Sequence, residues 1–310
     1  MRPNHAQHED IVQSLALSLY FVAVEWFLYG IYVVLFCSCI KILYKSRVPN
    51  KRALSAAVAV IFIFCTIHWV LQLVNAGKLL RVWLPASQPH GHGDNHSASR
   101  QWNLIFIAMG VLYVTSNLIA DGIFVYRCYG IWGRRKRIIA VPITLLVATG
   151  GLGYASVIAC GMEGFAEFLF ISWLFPMAVV FSVLTNVLLM ALTAGRIWWM
   201  ARGARVIEGP EVIKHSRMVI AMILESGALY VTPGLLYLIL LKSEAAATQV
   251  IFAALAQIVG IAPTIIVVRV GLGNSVNSVE SFRDTGTVID IRPEKSDRYD
   301  EDWDFKDEIV

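Results

Sequence analysis

Three carboxylates stand inside long apolar runs of this 310-residue chain: Glu25, Asp121 and Glu225. An ionisable group in such a run is costly and usually faces the interior of a helix bundle. No Lys or Arg lies deep in any of these runs, so the acids have no evident buried salt-bridge partner. At a rise of about 1.5 Å per residue, Asp121 and Glu225 fall at a similar depth. They are expected to meet, sharing a proton or holding a cation between them, because two carboxylates in low dielectric cannot both ionise cheaply. Glu25 falls at a depth comparable with His68, so a Glu25–His68 pair is geometrically open. The alternative is that each acid is protonated and hydrogen-bonded to a neighbouring helix, through Asn117, Asn186, Ser226 or Tyr230. The first reading describes a proton- or cation-sensitive coupling site; the second describes structural glue.

Other chemistry is thinly represented. His90, His92, Asp94 and His96 lie within seven residues and have the side chains of a Zn²⁺ or Cu²⁺ site. The glycines between them leave the ligands unfixed, so a solvated loop is expected and no metal site. No G-x-x-x-x-G-K-[ST], H-E-x-x-H or G-x-S-x-G motif is present. No nucleophile–base set is evident, so no catalytic residue, cofactor or enzyme activity is expected.

The elements that must position the acids follow from hydropathy. Only 15% of residues are charged and 57% are hydrophobic, against roughly a quarter and just under half in soluble domains. A helix needs about 20 mostly apolar residues to cross the hydrocarbon core. Seven segments qualify: 15–40, 55–75, 103–131, 138–160, 168–197, 218–241 and 245–268. They do not alternate as barrel strands would, and lipid leaves their backbone no partner but itself, so each must be helical. The expected fold is all-α, a polytopic bundle of seven transmembrane helices over 15–270. The third and fifth runs exceed the bilayer's requirement. Pro176, Pro233 and Pro263 fall inside runs and are potential kinks, while Gly150, Gly151 and Gly153 lower the profile of the fourth. The final run has no lysine for a retinal Schiff base, and no inverted repeat is visible.

Orientation follows from Lys and Arg in the connections. The first carries Lys41, Lys45, Arg47, Lys51 and Arg52; the third carries Arg127, Arg134, Arg135, Lys136 and Arg137; the fifth carries Arg196, Arg202, Arg205, Lys214 and Arg217. The even-numbered connections are poor in both residues. Odd connections are therefore expected in the cytosol, with residues 1–14 outside and the C-terminus inside. Asn95-His96-Ser97, the one N-x-[ST] sequon, then falls outside and offers Asn95 for glycosylation. Residues 1–14 lack the features of a signal peptide. From Gly271 onward there are eleven acids and five basic residues, so 271–310 is expected to be a disordered acidic tail.

The third run ends in Tyr126-Arg127-Cys128-Tyr129 and Trp132, followed by Arg134-Arg135-Lys136-Arg137. Aromatic and basic residues in this order suit a membrane interface and anionic headgroups. Interface anchoring is expected for Arg127, although it also stands where seven-helix receptors place the arginine that reads a cytosolic partner; the acidic residue beside it there is absent here. Cys37, Cys39 and Cys128 lie near the same face and are candidates for palmitoylation.

Ser116-Asn117-Leu-Ile-Ala-Asp121-Gly, Tyr126-Arg127-Cys128-Tyr129 with Trp132-Gly133, Gly195-Arg196-Ile197-Trp198-Trp199 and Glu225-Ser226-Gly227-Ala228-Leu229-Tyr230 carry a resemblance. Over roughly 15–273 the chain resembles the seven-pass integral membrane proteins of mushroom-forming fungi, which are receptor-like in topology. The resemblance implies the seven-helix fold and marks Asp121, Arg127, Glu225 and Tyr230. The expected protein is receptor-like or sensory and sits in a lipid bilayer, the plasma membrane. Its expected partners are a small-molecule ligand and a cytosolic signalling protein, not nucleic acid. The alternative is a proton- or cation-coupled transporter or channel using Asp121 and Glu225.

Overall fold

Apolar runs longer than a bilayer is thick should fold as continuous helices, and they do. The computed structural model describes residues 5–45, 51–83, 95–159, 165–208, 210–241 and 250–269, with the outermost side chains of several helices left aside. The helices are α1 (His5–Lys45), α2 (Lys51–Trp83), α3 (Asn95–Ile131), α4 (Lys136–Ala159), α5 (Phe165–Glu208) and α6 (Pro210–Leu240), then α7 (Val250–Arg269). All seven are long and apolar enough to cross a membrane, and no strand occurs among the described residues. The chain therefore has the architecture of an integral membrane protein. Residues 84–94, with His90, His92 and Asp94, and the tail 271–310 lie outside the described residues.

Helices α1, α2, α3 and α5 overrun the expected segments. α1 begins at His5, within the stretch read as an external segment, and α3 begins at Asn95, so the sequon asparagine opens a helix. α4, α5 and α6 run unbroken through Pro142, Pro176 and Pro233.

Burial is inside out relative to a soluble bundle. Trp26, Phe27, Val147, Ile158 and Ile239 are more than half exposed on the outer surface, where acyl chains rather than water would cover them. The spans of the first six helices bury 17–39% of their residues, whereas α7 buries 61%. α7 is the central helix. Its Val259, Ile261 and Ala262 pack with Tyr32 and Cys39 of α1, Val58, Ile61 and Cys65 of α2, and Ala120 and Ile123 of α3.

Small residues let the backbones approach. A Cβ on Gly150 would lie 3.1 Å from Leu118 of α3, and one on Gly153 would lie 3.0 Å from Val114. Gly151 faces open space. α3 ends where Gly133 (φ 63°) and Arg134 (φ 62°) turn left-handed, and the Arg134 N–H closes on the Tyr129 carbonyl at 3.0 Å. Gly133 adopts this conformation without strain. Just inside the turn, the Trp132 indole donates to the Leu192 carbonyl at 3.2 Å, tying the end of α3 to α5.

Candidate functional site

On α3, Asn117 and Asp121 are four residues apart; on α5, so are Ser182 and Asn186. Each pair therefore shares one helix face, and the two faces meet. Asp121 is fully buried. Its Oδ1 accepts from Asn186 Nδ2 at 2.8 Å; its Oδ2 accepts from Asn117 Nδ2 at 3.3 Å and from Ser182 Oγ at 3.4 Å. Tyr230 of α6 completes the set, donating to Asn117 Oδ1 and lying 2.8 Å from Ser182 Oγ. Four polar side chains from three helices thus gather around one carboxyl. Ser226, also considered for this role, bonds its own helix at the Met222 and Ile223 carbonyls.

Glu225 does not join them. Its side chain is 71% exposed and pairs with Arg269 Nη1 at 2.6 Å. The inward face of α6 carries Ser226, Gly227, Tyr230 and Tyr237, all buried. Adjacent helical residues diverge by about 100°, so Glu225 is turned off that face. Its basic partner ends α7, one residue past the run read from hydropathy. The expected Asp121–Glu225 pair is replaced by a hydrogen-bonded acid and, separately, an exposed ion pair.

The second buried acid meets the histidine at matching depth, the pair that geometry left open. His68 Nδ1 lies 3.0 Å from Glu25 Oε1, with both residues almost wholly buried. Gln257 of α7, which the sequence did not single out, donates to the same oxygen at 3.1 Å. One polar contact thereby fixes α1 and α2 to the central helix. The available signal was an amide near the middle of the last apolar run. Glu25 Oε2, His68 Nε2 and Gln257 Oε1 have no partner among the described residues. His68→Leu is expected to cost about 1 kcal/mol, because Gln257 still serves the carboxylate and one interhelical hydrogen bond in a membrane is worth only about that much. Chemical unfolding in mixed micelles measures it. A loss indistinguishable from that of His68→Leu made in a Glu25→Ala background is not expected.

At the end of the bundle bearing the basic connections, a cavity of about 50 Å³ lies between α3, α5, α6 and α7. Phe124, Leu189, Met190, Ile223 and Ile266 form its apolar wall, and Arg127, Asn186 and Thr193 its polar part. Tyr126 is half exposed on the outer surface of α3. Arg127, expected to anchor at the interface, instead turns inward: its Nη1 is buried without a hydrogen-bond partner among the described residues. Asn186 forms part of the cavity wall and also bonds Asp121, so one amide separates the acid from the open space. Arg134 and Arg135 are exposed beyond the helix end.

Comparison with family models, with curated proteins and with solved structures finds no match. The geometry alone therefore speaks for the site. No group of three or more His, Cys, Asp or Glu that could hold a metal ion forms among the described residues. Cys39 and Cys128 are fully buried, which places their thiols out of an acyl donor's reach, while Cys37 is exposed.

The opposite half of the same four helices is filled by aromatic rings. Phe175 lies 5.4 Å from Phe252, 5.7 Å from Tyr237 and 6.0 Å from Tyr113, centroid to centroid. One ring comes from each of α3, α5, α6 and α7.

Proposed function

We propose that this protein is a receptor-like or sensory seven-helix membrane protein of the kind its motifs resemble in mushroom-forming fungi, placed in the plasma membrane with its basic connections in the cytosol. The observation that carries the reading is the Asp121 joint. A bundle needing only stability would be served by apolar packing. Here Tyr230 ties α6 to α3 and α5 through hydrogen bonds that shift if α6 moves. An element with two discrete arrangements is what a switch requires. The joint lies between the aromatic cluster, where a small apolar ligand would part the rings, and the cavity end, where a cytosolic partner would meet the basic connections.

The test is binding of the purified full-length protein, in nanodiscs, to heterotrimeric G proteins or another cytosolic transducer. The expected result is a complex weakened when Tyr230→Phe frees α6. Absence of contact with any transducer would overturn the receptor reading.

A second reading, coupled transport, draws support from the cavity wall reaching the amide that holds Asp121. It predicts a proton- or cation-driven flux in reconstituted vesicles that Asp121→Asn abolishes. No flux under any gradient removes it.

A further inference from the structure

We infer that the cavity beside Arg127 is a binding site for a phosphate-type oxyanion, the head of an anionic membrane lipid or a free phosphate.

Four observations converge. First, a buried guanidinium nitrogen is costly unless something pairs with it, yet no acid lines this cavity among the described residues. Asp121 is engaged with Asn117, Ser182 and Asn186, and Glu225 with Arg269. Second, Arg127 Nη1 is buried with no protein hydrogen-bond partner among the described residues, and a guanidinium edge matches the spacing of phosphate oxygens. Third, the cavity offers one further donor, the Thr193 hydroxyl, and about 50 Å³ of space. That exceeds the need of one water and suits a single oxyanion. Fourth, the apolar wall of Phe124, Leu189 and Ile223 accepts hydrocarbon next to the charge, while exposed Arg134, Arg135, Lys136 and Arg137 just past α3 raise the local concentration of anions.

The neighbouring Arg196 also has a buried nitrogen, Nε, without a hydrogen-bond partner among the described residues, but differs in its ring contacts. Its guanidinium lies over the Trp132 and Trp199 rings, at 5.1 and 4.7 Å, so its charge is already shared with aromatic faces. Arg127 has no such ring partner among the described contacts. The inference does not depend on what the Asp121 joint does, and it holds whether the protein signals or transports.

The experiment uses the full chain in nanodiscs of phosphatidylcholine, with and without phosphatidic acid, and reads retained lipid by native mass spectrometry. A second arm adds inorganic phosphate to phosphatidylcholine nanodiscs and reads thermal stability. Wild type is expected to retain phosphatidic acid over phosphatidylcholine by about tenfold, the worth of a charge-assisted pair. Arg127→Gln should lose most of that preference, Arg127→Lys should keep part of it, and Arg134→Gln, outside the cavity, should keep nearly all. Stabilisation by inorganic phosphate alone, lost in Arg127→Gln, would assign the site to a free anion instead of a lipid. If wild type shows neither a lipid preference nor a phosphate effect, the inference is overturned without recourse to any variant. A preference unchanged in folded Arg127→Gln overturns it as well.

Discussion

Asp121→Ala is expected to lower unfolding stability by about 2 kcal/mol and to release α6 from α3 and α5. A single interhelical hydrogen bond in a membrane averages roughly 0.6 kcal/mol, so the number of contacts decides the size. Asp121 accepts from Asn117, Ser182 and Asn186 together. The amides keep one bond each to Ser182, through its Oγ and its carbonyl, but a proton on each is left facing a void in a medium without water. Relief of the carboxyl's own desolvation offsets part of the loss, which holds the figure near 2 instead of higher. Asp121→Asn retains the volume but presents an amide hydrogen to donors, and should cost about half as much. The decisive measurement is a double-mutant cycle with Asn186→Leu. Coupling of about 1 kcal/mol is expected for residues that share a bond; simple additivity would show that the joint is not a unit. Under the receptor reading, Asp121→Ala also changes transducer binding while leaving the basic end of the bundle chemically intact.

The other large effect belongs to Gly260, where α7 crosses α1. A Cβ there would lie 2.6 Å from Tyr32 Cζ and 2.7 Å from both Cε1 and the hydroxyl. Tyr32 cannot retreat: it is fully buried and stands edge-on to Phe62 at 5.4 Å. Gly260→Val is therefore expected to destabilise by about 3 kcal/mol or more, through overpacking against a rigid ring, and to reduce the yield of folded protein. Tyr32→Leu in the same chain should recover a large part of it by vacating the contested space. Yield and thermal unfolding of the single and double variants check this; an unrescued double variant would place the clash elsewhere. Gly227 makes a useful comparison, since a Cβ there would meet the Met190 side chain, whose flexible thioether can rotate aside. Gly227→Ala should cost far less.

Much of the fold was legible because lipid imposes it. Seven runs of sufficient length, a backbone that must bond to itself and the lack of alternation specify seven helices before any contact is known. Long third and fifth helices were visible for the same reason, as was the pairing of Glu25 with His68, which required only that α1 and α2 be neighbours at matching depth. Helix ends were less legible. Hydropathy falls where the membrane stops, whereas hydrogen bonding continues, so α1 reaches back to His5 and α3 to Asn95.

Depth could be counted along the chain, but the direction a residue faces could not. Counting along the helices puts Glu225 and Asp121 at comparable levels, yet Asp121 points at its neighbours and Glu225 away from them, because a rotation of a helix about its axis leaves its hydropathy unchanged. The same freedom hid the inward turn of Arg127, the amide of Gln257 beside Glu25, and the contact of Gly260 with Tyr32. By itself the sequence determined how many helices there are, that they suit a bilayer and which connections are basic, since these depend on composition along the chain. Only the tertiary structure decided which polar groups meet, because packing of seven apolar cylinders is settled by the shapes of facing side chains, and those shapes carry no periodic signal.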